Sequence, residues 1–336
     1  TPRSAPTSAM AMSMPSSTRW GSVSSSARSL KVPGSPSSAF STTYFGARLA
    51  HAGCDVTFVA RGAHLHAMRT QGLLIENESL GNTLIHPVKV TDDPLSAGMP
   101  DIVLFAVKLW DTEAVAKQLK PIVGPDTAVL SLQNGVVKDD ILRGVFGDKV
   151  LMGGVAYVGT HIARPGVINQ VGTLQRLIFG EYDGQKSVRA EALLAALLKA
   201  GIQAELSDDI RRTLWEKYTF LVGLSGTTAT MRASIGPVRE NPQTRAFLLD
   251  LMKEAVAVGR ALGVKLPENY AEDRLKFADG VPGTMDSSLH HDLKHGNRLE
   301  VEWLAGGVVQ LGKKAGVPTP CNRAVWDVLA LHATHT

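Results

Sequence analysis

The sequence predicts an α/β fold, a doubly wound parallel sheet in the N-terminal part followed by an all-helical C-terminal domain. Two observations predict it. From Tyr44 to Asp208, short apolar runs of strand length alternate with helical patterns, as in a parallel sheet with helices on both faces. Beyond Asp208 the strand signals stop, and long apolar stripes at helical spacing take over.

Taken in order, a helix over Tyr44 to Ala52 ends at Gly53, an expected residue just past a helix C-terminus. The run Asp55 to Ala60 reads as a short buried strand bounded by Gly62. Ile102 to Val107 and Ala128 to Leu132 are two more strands, with a helix over Thr112 to Leu119 between them. The runs Val150 to Val158 and Leu177 to Gly180 extend the sheet, and a helix over Ser187 to Ala200 closes at Gly201. The helical half carries Ile210 to Ser225, Gln243 to Leu262, Asp286 to His295, Leu299 to Ala315 and Arg323 to Leu331. The expected domains are residues 44–207 and 208–336, a layout in which a substrate cleft is expected between the two.

Composition excludes several classes. A chain of 336 residues, 44% apolar and 20% charged, has room for two globular domains. The formal net charge of +4 is small and its basic residues are scattered, so no nucleic-acid partner is expected. Cys54 and Cys321 lie far apart without CxxC spacing, which argues against a disulfide framework or a zinc ribbon and for a reducing, cytoplasmic setting. No run approaches the roughly 18 apolar residues of a membrane span. The oligomeric state is left open, an apolar stripe such as Leu248 to Val258 being compatible with a homodimer.

Residues 1–43 break the pattern. They are rich in Ser, Pro, Thr, Ala and Arg, contain no Asp or Glu, and show no periodicity, so they are expected to be a disordered leader. An organellar transit peptide has this composition. Against it, the biased segment runs straight into the middle of a first helix, with no complete first strand before it. Read-through of a GC-rich coding region in the wrong frame accounts for both features and is the favoured reading. A dinucleotide fold needs glycines after its first strand so that a pyrophosphate can approach the backbone of the next helix. Ser37 to Thr43 offer none.

Several residues are candidates for chemistry. The second strand ends at Arg61, where an acidic residue would bind the ribose hydroxyls of NAD and an Arg can accept a 2′-phosphate; a solvated turn Arg is the equal alternative. Lys108 and Asn134 follow the carboxyl ends of two further strands, the edge where ligands sit in open α/β sheets, although Asn134-Gly135 is also a turn signal. In the helical half, Trp215-Glu216-Lys217 and Arg298-Leu299-Glu300 set a Lys and a carboxylate on apolar helices. Such a Lys can polarise a carbonyl, and a plain ion pair is the competing reading. Ser287-Ser288 opens a helix and reads first as a cap. His291 and His295 lack the carboxylate spacing of a metal site and read as a solvated helix face.

These pieces in this order resemble the ketopantoate reductase family from Tyr44 to about Leu329. The resemblance rests on Tyr44 to Ala50, Asp55 to Gly62, Ala106 to Trp110, Leu132 to Val136, Leu214 to Lys217, Ser287-Ser288 and Arg298 to Glu300. It implies a Rossmann-type domain joined to a helical domain, and NADPH-dependent reduction of 2-dehydropantoate to (R)-pantoate on the way to pantothenate. It implies Lys217 as proton donor to the keto oxygen and Glu300 as its orienting partner. Lys108 and Asn134 would line the nicotinamide and its ribose, Arg61 would contact the 2′-phosphate, and Ser288, with Asn134, would face the substrate. Two departures stand out. Leu221 and Ser225 occupy positions where the family carries Asn, which points to a different 2-oxo acid. The glycine-rich loop is missing, which leaves a catalytically inactive remnant as the alternative reading. A regulator that senses NADPH without turnover would have no need of the Lys217 and Glu300 pair.

Overall fold

The computed structural model describes residues 10–12 and 40–333. Contacts divide the chain into two units, residues 1–133 with 138–210, and residues 134–137 with 211–336.

In the first unit the strands are β1 (Met10–Met12), β2 (Val56–Val59), β3 (Leu73–Glu76), β4 (Thr83–Ile85), β5 (Lys89–Thr91), β6 (Ile102–Phe105), β7 (Ala128–Ser131), β8 (Leu151–Arg164), β9 (Val167–Glu181) and β10 (Gln203–Leu206). The helices are α1 (Phe40–His51), α2 (Gly62–Gln71), α3 (Thr112–Leu119), α4 (Lys138–Phe146) and α5 (Val188–Lys199). One sheet runs β4-β3-β9-β8-β7-β6-β1-β2-β5, with β10 beside β9. Its middle is parallel from β6 through β7 to β8.

β6 is apolar at every position and β7 at all but Ser131, because both faces are covered. Ile102, Leu104 and Ala106 pack on one side with α1 and α5 residues such as Phe45, Leu49, Leu193 and Leu197. Val103, Phe105 and Val107 pack on the other with Val115, Leu119 and Leu142 of α3 and α4. The period-2 alternation of a strand thus feeds two separate cores.

The region 1–43 differs from the expected leader in two places. The first helix starts at Phe40, and Met10–Met12 form a strand. That strand pairs antiparallel with both β2 and β6, Met12 opposite Val56 and Ile102. An expected first strand would run parallel to its neighbours, whereas Met10–Met12 run antiparallel to both. Residues 1–9 and 13–39 of the expected leader lie outside the described residues.

The second unit holds α6 (Ile210–Met231), α7 (Ile235–Glu240), α8 (Pro242–Ala261), α9 (Tyr270–Gly280), α10 (Ser288–Lys294), α11 (Ala305–Ala315) and α12 (Pro320–Ala333). Helices α6 and α8 approach closely where side chains are absent: a methyl group on Gly223 would stand 2.7 Å from Met252 Cγ. The stripe on α8 is consumed by its own unit, with Leu248, Leu251, Met252, Ala255 and Val258 all fully buried. The expectation that this stripe could serve a homodimer is therefore corrected, since the residues that would pair already form the interior. Both cysteines are free thiols. Among the described residues no helix is long and apolar enough to cross a membrane.

Candidate active site

Strands β2 and β6 both run opposite to β1, and β7 is parallel to β6, so all three deliver their carboxyl ends to the same edge of the sheet. Arg61 follows β2 in extended backbone (φ −135°, ψ 164°) at the N-cap position of α2, with its side chain exposed. An exposed guanidinium beside a helix N-terminus suits a phosphate-sized anion. Lys108 follows β6 and is only 1% exposed, its Nζ 5.4 Å from the centre of the Trp110 ring.

Sequence reasoning passed over Gln133, which locks the ends of β6 and β7. Its amide Nε2 donates to Val107 O and to Thr112 Oγ1, each at 2.8 Å, while its Oε1 accepts from Ser131 Oγ at 3.2 Å. Gln133 is 4% exposed, and a polar side chain buried there must find partners. These bonds hold the strand ends that lead to Lys108 and Asn134.

The residues 134–137 belong to the second unit. Asn134 is half-buried, and Gly135 takes φ 79°, a turn conformation that favours glycine. A side chain at Gly135 would meet Trp303 O at 3.6 Å and the Tyr218 ring at 3.8 Å.

Lys217 is half-buried on α6. Its neighbour Glu216 is engaged by Arg212 Nε at 2.8 Å, one turn back. Glu300 is 5% exposed, and its carbonyl accepts the N–H groups of Trp303 and Leu304, both at 3.1 Å, so it opens the turn that leads into α11. Ser288 is exposed as the first residue of α10, whereas Ser287 is the cap, accepting from His290 N at 3.1 Å. Ser287 Oγ also bonds Thr228 Oγ1 of α6 at 2.7 Å. Helix α6 is thus the common rail: Lys217, Leu221 and Thr228 recur on one face at helical spacing, and Thr228 fastens the start of α10 to it. Leu221 is partly buried against the helical core and Ser225 is 1% exposed.

Beside Ser287, Asp286 Oδ1 lies 2.7 Å from Nδ1 of the buried His290, and Lys294 Nζ reaches Asp286 Oδ2 at 3.1 Å. Burial pushes the Asp286 carboxyl upward, but the Ser287 N–H, Lys294 and His290 outweigh it and hold it below the usual carboxylate range. His291 and His295 stack with ring centres 4.2 Å apart, His295 Nδ1 lying 2.7 Å from His291 O.

Residues 42–184 match the family model described as ketopantoate reductase PanE/ApbA, and residues 209–333 match its C-terminal counterpart. A 2-dehydropantoate 2-reductase of Mesorhizobium japonicum is 32% identical over 304 residues, covering 84% of this chain and 91% of that one. The crystal structure of a PanE/ApbA family ketopantoate reductase from Ralstonia eutropha JMP134 superposes with a TM-score of 0.78 at 32% identity, covering 88% of this chain and 95% of that one. D-mandelate dehydrogenase, solved with NADH and anilino(oxo)acetate, shares the fold at 17% identity and a TM-score of 0.78, covering 87% and 94% of the two chains. With both parts of the chain matched in order, this protein belongs to the ketopantoate reductase family.

Proposed function

We propose that the protein reduces 2-dehydropantoate to (R)-pantoate, or a related 2-oxo acid to its 2-hydroxy acid, with NADPH. The observation that carries the reading is a half-buried Lys217 and a buried Glu300 on segments of one unit, α6 and the turn before α11, in a chain of this family. When bound, the cofactor supplies the hydride. Reduction loads negative charge onto the keto oxygen, and the Lys217 ammonium hydrogen-bonds that oxygen and donates the proton. Glu300 orients Lys217 and meets the new hydroxyl. Arg61 takes the 2′-phosphate, Lys108 and Asn134 line the nicotinamide and its ribose, and Ser288 with Asn134 binds the substrate. Leu221 offers apolar surface where an amide would bind a substrate hydroxyl, which favours 2-oxo acids with less polar side chains.

A specific observation supports a second reading, an inactive relative. The first turn of α1, Phe40 to Thr43, contains no glycine, and the centre of the sheet holds a three-residue antiparallel strand. A fluorescence titration of the 336-residue chain with NADPH and with NADH, followed by turnover on a panel of 2-oxo acids, separates the two. Saturable binding that prefers NADPH, with turnover, is the expected result. A folded chain that binds neither dinucleotide leaves the inactive relative standing.

A further inference from the structure

We infer that Tyr218 is a positioning residue for the reaction, holding the segments of Lys217, Glu300 and Asn134 in one register; this rests on the reading of Lys217 as proton donor. Tyr218 follows Lys217 on α6 and is 1% exposed. Its hydroxyl donates to Leu304 O at 2.6 Å and lies 3.4 Å from Trp303 O. Those two residues close the turn that Glu300 opens, since both their N–H groups donate to Glu300 O. The same ring stands against Gly135, where an added methyl would be 3.8 Å from Cε2. Its hydroxyl stands against Gly307 of α11, where an added methyl would be 2.8 Å away. Trp215, one turn back on α6, meets the ring edge-on with centres 5.6 Å apart. A single ring therefore touches the turn after Asn134, the turn after Glu300 and the first turn of α11, and its own backbone carries Lys217.

The ring alone would satisfy packing, so the hydroxyl calls for a separate account. Burial pushes the phenol far above its ordinary pKa, only partly offset by a backbone hydrogen bond from Val308, so it stays protonated and donates at every working pH. Its acceptor does not depend on it: Leu304 O also accepts Val308 N–H at 3.2 Å. Removing the hydroxyl leaves Leu304 O with that bond and the core filled. What is lost is the tie between the helix of the proton donor and the turn of its carboxylate partner. Proton delivery depends on sub-ångström placement, and a misplacement of about 1 Å can cost on the order of 100-fold in rate.

The test compares wild type, Tyr218→Phe, Gly307→Ala, Lys217→Ala and, as a control at the far end of α6, Thr230→Val. Each is assayed for kcat, KM for NADPH and the pH profile of kcat on the best 2-oxo acid. Tyr218→Phe is expected to lower kcat roughly 10- to 100-fold. Its KM for NADPH should stay within about twofold, and the pH profile of kcat should change because the proton donor is no longer held in register. Gly307→Ala, which crowds the hydroxyl, should give the same signature, and Thr230→Val should give wild-type kinetics. An inactive Lys217→Ala beside a Tyr218→Phe with unchanged kcat and pH profile overturns the positioning role alone. A Lys217→Ala with near wild-type turnover, or a wild type that turns over no 2-oxo acid, overturns the proton-donor reading and this inference with it.

Discussion

Arg61 and Lys217 are both candidates singled out by sequence position, one by its place after an apolar strand and the other within a short motif, yet their environments differ in kind. Arg61 is exposed at the start of α2, so its value lies in charge alone. Arg61→Ala is expected to raise the Kd for NADPH about 10-fold or more, as loss of a charge-assisted phosphate contact of about 1.5 to 3 kcal/mol implies, while leaving NADH nearly unchanged. Parallel titrations with the two dinucleotides check this, and equal losses for both would end the 2′-phosphate assignment. Lys217 is half-buried on α6, where its surroundings are set by neighbours that sequence does not reveal. Gln133 and Tyr218 went unread for the same reason: a buried polar side chain is recognisable only once its partners, Val107, Thr112 and Leu304, are in view.

At the scale of elements, the legible parts were those whose sequence pattern survives burial. Helix α3 starts and ends where its periodicity does, and β6 and β7 stand on their apolar runs. The hairpin of β8 and β9 extends well past the expected Val158 and Leu177, because Thr160 and His161 pair through backbone with Gln170 and Asn169, four polar residues with no strand-like apolar pattern. Ile162 and Ile168 reach the core there, but the run between them carries no sustained apolar alternation to mark it as strand. Strands of three or four residues such as β4, β5 and β10 are too short to show a period at all. Helix α12 illustrates an element capped from a distance. Glu254 of α8 accepts the N–H groups of Cys321 and Asn322 at 2.7 and 2.9 Å and the Asn322 amide at 2.7 Å. A helix N-terminus ordinarily lowers a thiol pKa. Here burial and then the Glu254 carboxylate push Cys321 up to about 11. Cys321 should therefore react slowly with a disulfide reagent at pH 8, and Glu254→Gln should speed it several-fold. Mass-spectrometric location of the label checks this, and fast labelling of wild type would show that the carboxylate does not control the thiol.

For the whole molecule, the two units each own their cores, and the native state is the only form in which Arg61, Lys108 and Asn134 acquire their positions. A ligand that binds only the native state stabilises it by about 2.7 kcal/mol at 100 times its Kd. NADPH is therefore expected to raise the unfolding midpoint in a concentration-dependent way, and NADH to do so less at equal concentration. Thermal melts over a range of dinucleotide concentrations check this, and an unmoved midpoint would mean that the native chain holds no cofactor. The sequence by itself determined the succession of sheet and helices, the faces that are buried, the family and the residue types on which chemistry can rest, because these depend on hydrophobic period and short local motifs. Only the tertiary structure decided the rest: that α8 spends its apolar stripe inward, that Met10–Met12 run antiparallel between β2 and β6, and that Tyr218 joins three segments. Each of these depends on which surfaces meet across long sequence separations, and a linear pattern constrains the presence of an apolar or polar group without naming its partner.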